Sequence, residues 1–179
     1  MKMNIIAALW GLAEATAFFV VPDVFLSALG LRNLRAAMAA CLFALGGALV
    51  GGALMYEWAS RDAPDALALV ETVPAISPEM LERVRQDLVD EGLLAILIGP
   101  LYGTPYKTFA VQAAAVGIGL APFLVISVPA RLGRFLAVTL LSWWVGEYLL
   151  ARWALRSKLA LLLMGWIVFY SFYLTLMPN

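Results

Sequence analysis

Two arginines lie in apolar stretches of the sequence, where an unpaired charge is costly. Arg131 and Arg134 are three residues apart, so they project from the same face of a helix. A guanidinium keeps its proton, and its planar fork can bind a phosphate group through two hydrogen bonds. The two arginines could therefore receive a phosphate, or they could pair permanently with acids of the chain. The sequence leaves both interpretations open.

Three acids could meet these arginines: Glu14, Asp23 and Glu147. Glu14 and Asp23 lie on either side of a break at Pro22. Burial favours the protonated form of a carboxyl group and a nearby arginine favours the ionised form, so these acids could carry protons and act as a gate. In an alternative interpretation, Asp23 caps the helix that begins after Pro22.

Several kinds of chemistry are excluded by composition. The chain has no histidine and a single cysteine, Cys41, which lies in an apolar run and is interpreted as a small packed residue. The sequence also has no Asp-Asp pair of the metal-binding kind and no glycine-rich phosphate loop. We therefore expect no enzyme, no metal site and no cofactor.

The composition is that of an integral membrane protein. Of 179 residues, 64% are hydrophobic and 13% are charged, whereas about 25% are charged in soluble domains. The mean hydropathy is +0.91. Twelve basic residues balance twelve acidic ones, so no basic surface for nucleic acid is expected. The length allows a single membrane domain, 1–179, with a few spans.

Three apolar stretches are expected to cross the membrane. Residues 36–58 are uncharged until their end, and residues 159–177 form a clean span. Residues 121–153 form a third transmembrane segment, which carries the arginine pair. Each has the roughly 20 apolar residues that a helix needs to cross the hydrocarbon layer.

Two other apolar stretches, 5–31 and 93–120, contain prolines that interrupt them. Pro22 breaks the first, and Pro105 ends a Gly- and Pro-containing run in the second. Because proline removes a backbone donor and clashes with the preceding turn, each stretch predicts a re-entrant helical hairpin. Their similar patterns would fit an inverted repeat with its working site near the breaks. Lys107, after the second break, could hold a headgroup or extend to the interface.

Residues 59–92 form the sizeable extramembrane segment, with eight carboxylates and three arginines. Ser77, Pro78 and Glu79 are typical of a helix start, and apolar residues then recur on one face. The segment therefore predicts an acidic loop with an amphipathic surface helix.

The basic loop residues favour the re-entrant topology. If both hairpins return to the side that they enter from, residues 59–92 lie on one side of the membrane. Six basic residues near the ends of the apolar stretches then share the opposite side: Lys2, Arg32, Arg35, Arg152, Arg156 and Lys158. This arrangement follows the positive-inside rule better than five full crossings.

Three short stretches carry a resemblance to a known family. In 14–26 a glutamate precedes a proline and a second acid; 105–109 contains Pro-Tyr-Lys; and in 127–135 a serine is followed by two arginines and a phenylalanine. The sequence resembles the DedA family of VTT/SNARE-associated membrane proteins, and within it the YqaA-like branch. It departs from the family at Phe19 and Val21, where prolines are common, and at Ala130, where glycine is common.

The resemblance implies two re-entrant hairpins that face each other and a proton-dependent contribution to envelope integrity. It also implies flipping or scrambling of a phospholipid or a polyprenyl-phosphate carrier. Tyr106 lies beside Lys107 in the Pro-Tyr-Lys motif, and both residues are expected to bind the substrate.

The function expected is a lipid transporter in the inner membrane of a bacterium, with the bilayer and phosphate headgroups as partners. A homo-oligomer remains open, as do two other functions: an ion-coupled carrier of a small solute or cation, and a scaffold that transports nothing. The expected site residues are Arg131, Arg134, Lys107 and Tyr106 for the substrate, Glu14, Asp23 and Glu147 for the proton or gate, and Pro22 and Pro105 at the breaks.

Overall fold

The structure is a computed structural model that describes residues 2–176. Residue 177, the end of the predicted 159–177 span, and the outermost residues of the predicted 1–179 domain lie outside the described range. The described residues are helical and contain no strand, which confirms the predicted all-α class. The helices are α1 (Lys2–Thr16), α2 (Asp23–Gly30), α3 (Leu34–Arg61), α4 (Ala63–Glu71), α5 (Pro78–Asp90), α6 (Leu93–Ile98), α7 (Tyr106–Ala115), α8 (Leu120–Trp144) and α9 (Leu155–Leu176).

Three helices are long and apolar enough to cross a membrane, as the composition predicts. They are α3, α9, and α8 together with the π-helical turn Val145–Leu149 that continues it. The third of these spans 30 residues and ends at Leu149, so it stops short of the predicted limit at residue 153. α3 continues to Arg61, three residues past its predicted end.

Each proline-interrupted stretch forms two helices separated by a break. The first break, residues 17–22, separates α1 from α2. The second break, residues 99–105, contains a 3₁₀ turn and separates α6 from α7. Pro22 and Pro105 lie directly before α2 and α7, where the missing N–H costs no helical hydrogen bond. The breaks thus leave backbone groups that other parts of the chain must satisfy.

Residues 59–92 contain two helices within the predicted acidic loop instead of the single one predicted. α5 begins after Ser77, whose hydroxyl accepts a hydrogen bond from the Met80 N–H at 3.3 Å, and its apolar face is buried. α4, which the sequence analysis missed, begins after Asp62, whose carboxylate accepts from the Asp65 N–H at 3.2 Å. Both starts follow the same rule, because a short polar side chain satisfies a free N–H of the first turn.

Glycines on α3 allow α1 to pack closely against it. A Cβ atom on Gly47 would overlap the carbonyl oxygen of Ala8, and one on Gly51 would lie 2.8 Å from the Ala15 Cβ. Without hydrophobic attraction between helices in lipid, such close packing stabilises their association. It fixes α1 and therefore Glu14, which lies on its last turn and is buried.

α9 lies at the edge of the bundle. Whereas α3, α7 and α8 contribute to the buried cores, α9 has no buried residue. It is joined to α8 by the turn of residues 150–154 and packs against α2. The space between α9 and the other helices is the cavity described below.

Candidate functional site

The first of the two predicted arginines is enclosed with Glu14. Arg131 is bound through both of its terminal nitrogens: Nη1 lies 3.4 Å from Glu14 Oε1, and Nη2 donates to Oε2. The Arg131 side chain is 0% exposed, with the rings of Tyr106 and Phe135 at 4.8 and 4.9 Å from its Cζ. A carboxylate and two aromatic faces thus surround this guanidinium.

The second arginine pairs with Asp23 and retains free hydrogen-bonding capacity. Arg134 Nη2 donates to Asp23 Oδ2 at 2.9 Å. The Arg134 side chain is 19% exposed, and its Nε has no partner among the described residues. Oδ1 of Asp23 likewise has none. Asp23 makes no capping hydrogen bond to α2, so the alternative interpretation of this residue as a cap is wrong.

Lys107 joins the two breaks. It is 1% exposed, and its Nζ donates to the carbonyl oxygen of Phe18 at 3.1 Å. Phe18 belongs to the first break, and Lys107 follows the second. The lysine is thus directed inward, and the alternative in which it extends to the interface is wrong.

A cavity of about 820 Å³ lies between the broken helices and α9. Four charged residues of the broken helices and α8 line one wall: Glu14, Asp23, Lys107 and Arg134. The facing wall is the apolar and aromatic side of α9, with residues that include Leu161, Leu162, Phe169, Tyr170 and Tyr173. Lys158, at the start of α9, also lines the cavity. The cavity therefore combines charged side chains of the broken helices and α8 with a face of α9 that is apolar and aromatic beyond Lys158.

Positive charge exceeds negative charge around this cavity. Its lining contains three cationic side chains, Lys107, Arg134 and Lys158, and two carboxylates, Glu14 and Asp23. Arg131, enclosed behind Glu14, adds a fourth cation. The described residues contain no cluster of three acids or metal-binding side chains that could hold a metal ion. The electrostatics thus favour an anion over a cation.

The structure separates some residues that the sequence analysis grouped together. Arg131 and Tyr106 do not line the cavity, so they do not share its surface with Arg134 and Lys107. Glu147 is exposed on the π-helical turn and forms no ion pair within residues 2–176. Pro105 lines the cavity, whereas Pro22 does not.

Side chains that the sequence analysis did not assign to the site satisfy the broken backbone. Trp10 Nε1 donates to the Val20 carbonyl at 2.8 Å, and the Tyr170 hydroxyl accepts from the Val21 N–H at 2.9 Å. Tyr173 Oη donates to the Gly103 carbonyl in the second break at 3.1 Å. These three contacts supply partners that neither break has within a helix.

The spacing of polar and aromatic residues along α9 already indicated in the sequence that one face of this helix contacts other parts of the chain. Lys158, Trp166, Tyr170 and Tyr173 are spaced by three, four or eight residues, which places them on one helix face. The indole N–H of Trp166 donates to Ser27 Oγ at 3.1 Å, so this residue contacts α2.

Comparison with known proteins adds one relative. A protein of Haemophilus influenzae, described only as uncharacterized, is 24% identical over 162 residues, which cover 87% of this chain and 78% of that protein. No family model matches the chain. No solved structure matches it either. The relative's description names no activity.

Proposed function

We propose that the protein moves an anionic lipid between the two leaflets of a membrane. The observation that carries this proposal is that the cavity combines charged side chains of the broken helices and α8 with the apolar face of α9. An amphiphile requires both, because its headgroup must be solvated by polar groups while its chains remain in an apolar environment. A small soluble ion would not be stabilised by the apolar face of α9.

Arg134 is the proposed ligand of the headgroup. It borders the cavity, its side chain is 19% exposed, and its hydrogen bond within the described residues is to Asp23. A phosphate oxygen can therefore compete with Asp23 for the guanidinium. Lys107 and Lys158 add positive charge to the same lining.

Asp23 is the proposed proton acceptor. Its Oδ1 has no hydrogen-bond partner among the described residues, whereas both oxygens of Glu14 bind Arg131. When a phosphate displaces it from Arg134, Asp23 becomes an uncompensated buried carboxylate, and burial then favours proton uptake. Headgroup binding and protonation of Asp23 would thus be coupled.

The two broken helical pairs are proposed to act as re-entrant hairpins. Their helices of 15 and 8 residues, and of 6 and 10 residues, are shorter than a membrane span requires. Two such pairs facing one cavity would form an inverted repeat. Together with the three motifs described above, this supports membership of the DedA family and a place in the bacterial inner membrane.

The cation carrier and the scaffold are less well supported. Both acids that line the cavity already pair with arginines, so they are poor ligands for a cation. A scaffold does not explain why buried charges surround a cavity, since such charges are costly in a membrane.

A lipid-scrambling assay tests the proposal. The full chain is reconstituted into vesicles with fluorescent phosphatidylglycerol or fluorescent phosphatidylcholine, and a membrane-impermeant reductant reports the lipid that reaches the outer leaflet. We expect faster movement of phosphatidylglycerol than of phosphatidylcholine, and a loss of about tenfold or more in Arg134→Gln, since removing a charged hydrogen-bonding partner costs about 1.5–3 kcal/mol.

Arg83→Gln is the matched control, because Arg83 is exposed on α5 and forms no ion pair within residues 2–176. Its rate should equal that of the unaltered protein. Equal rates for Arg134→Gln and Arg83→Gln would refute the proposed role of Arg134, and rates no higher than in protein-free vesicles would refute lipid transport.

A further inference from the structure

α9 is the part of the cavity wall with the weakest attachment. None of its residues is buried, whereas the helices on the opposite side belong to packed cores. Four side-chain hydrogen bonds join it to other described elements. Their donors and acceptors are Lys158 Nζ to the Gly146 carbonyl, Trp166 Nε1 to Ser27 Oγ, the Val21 N–H to Tyr170 Oη, and Tyr173 Oη to the Gly103 carbonyl.

These hydrogen bonds are distributed unevenly along α9. Lys158 donates at 2.7 Å to the carbonyl of Gly146 on the π-helical turn that continues α8, close to the covalent link between α8 and α9. Tyr170 and Tyr173, near the other end of the described helix, bind the first and the second break respectively. One end of α9 is thus held by the chain itself, its middle is held by the hydrogen bond of Trp166 to Ser27, and the other end is held by two hydroxyl groups.

We propose that Tyr170 and Tyr173 are positioning residues that latch α9 closed against both breaks, and that α9 moves away from the cavity when these two hydrogen bonds open. The movement turns about residues 150–154, which are not helical and link α9 to α8. It would open the cavity sideways to the bilayer, since α9 is the wall between them. The lipid route rests on the proposed function, whereas the latch does not.

The chemistry of the two hydrogen bonds explains why they can act as a latch. Each joins one phenol to one backbone group of a break, and neither involves a charge. A neutral hydrogen bond contributes little net free energy where water replaces the lost partner, so opening these two and the bond of Trp166 to Ser27 towards the cavity is accessible by thermal motion. In contrast, separating Arg131 from Glu14 would leave a buried charge without a partner.

The test measures the position of α9 directly. In a Cys41→Ala background, spin labels are attached at Leu54→Cys on α3 and at Thr175→Cys on α9, both of which are exposed. Double electron–electron resonance then gives the distance distribution of the full chain in lipid vesicles. We expect one main population in the parent protein and a second in Tyr170→Phe plus Tyr173→Phe. Each lost hydroxyl should raise the open-to-closed ratio by about two- to tenfold.

The matched control removes two hydroxyl groups that do not bridge α9 to a break. Tyr148→Phe plus Ser171→Ala serves this purpose, since Tyr148 is exposed and Ser171 donates to Ile167 within α9. Its distribution should equal that of the parent. The single variants Tyr170→Phe and Tyr173→Phe are measured as well, so that the test remains decisive where the double variant does not fold.

The spin-label distances test the latch whether or not the protein transports a lipid. A second population in the phenylalanine variants and its absence from the control would support the latch, even where no lipid moves and the proposed function fails. An unchanged distribution in all the phenylalanine variants that fold would overturn the latch, whatever the transport rate.

Discussion

Two arginines of α8, three residues apart, each form an ion pair, but the surroundings of the two pairs differ. Glu14 and Arg131 are 4% and 0% exposed, and aromatic rings cover the guanidinium. Asp23 and Arg134 both border the cavity, and the Arg134 side chain is 19% exposed. The same residue types at one helical spacing therefore serve two purposes. The enclosed pair joins α1 to α8, whereas the cavity pair has room to exchange its partner for a ligand.

Breaking the enclosed pair should produce the largest effect on stability. Arg131→Met leaves Glu14 as a buried, unpaired charge, so we expect the free energy of unfolding to fall by about 3–5 kcal/mol. The measurement is thermal unfolding in detergent. Arg131→Met combined with Glu14→Gln should recover much of this loss, because no charge is then left without a partner.

A double variant that is no more stable than Arg131→Met would contradict the view that the buried charge, rather than lost packing, causes the destabilisation.

Displacing the helix that carries Glu14 should have the next largest effect. The Cβ of Gly47→Ala would overlap the carbonyl oxygen of Ala8 on α1, and we expect a loss of about 1–3 kcal/mol from overpacking. Gly46→Ala is the control, since its Cβ meets no atom within 4 Å. Thermal unfolding of the two variants gives the comparison; equal stabilities would show that α1 does not pack on α3 in this way.

Neutralising the cavity pair on its acidic side should strengthen ligand binding. Asp23→Asn removes the carboxylate that competes for Arg134, so we expect tighter binding of phosphatidylglycerol by about two- to tenfold. The dependence of transport on pH should also decrease, since Asp23 is the proposed proton acceptor. Lipid titration followed by intrinsic fluorescence measures the affinity. Weaker binding by Asp23→Asn would contradict the competition between carboxylate and phosphate.

The smallest effect is expected for an exposed ion pair, which serves as a reference for the two ion pairs of α8. Arg85 donates to Glu82 at 2.7 and 2.8 Å on α5, and these hydrogen bonds lower the pKa of Glu82 from 4.5 to about 2. Because the folded pKa is the lower one, the stabilisation is complete above pH 4.5 and is lost as the pH falls towards 2. Glu82→Gln should remove this small acid dependence, which solvent screens.

Melting temperatures measured between pH 6 and pH 3 test this expectation. A curve for Glu82→Gln that falls as steeply as that of the unaltered protein would show that another carboxylate is responsible.

The charged residues were easier to predict from the sequence than the walls around them. An arginine in an apolar stretch must find an anion, so Arg131, Arg134, Glu14 and Asp23 could be grouped without coordinates. Which acid each arginine meets depends on how α1, α2 and α8 pack, and no spacing rule determines that. The division between an enclosed and an open pair therefore required the structure.

The helix starts and breaks were also easier to predict from the sequence than the role of α9. Ser77 and the prolines act through local backbone chemistry, and their effects were visible in the sequence. α9 was predicted only as a clean span, because the hydrophobicity of the whole helix conceals the polar tips of Tyr170 and Tyr173. An aromatic residue on a lipid-facing helix and one that satisfies a broken backbone have the same hydropathy. Only their contacts distinguish them.

The central claim is that Arg134, and not exposed basic residues in general, binds an anionic headgroup in the cavity. Native mass spectrometry of the purified chain with equal amounts of phosphatidylglycerol and phosphatidylcholine tests it most directly. We predict that the unaltered protein and Arg83→Gln retain phosphatidylglycerol in preference, and that Arg134→Gln loses this preference. Equal retention of phosphatidylglycerol by Arg134→Gln and Arg83→Gln would contradict the account.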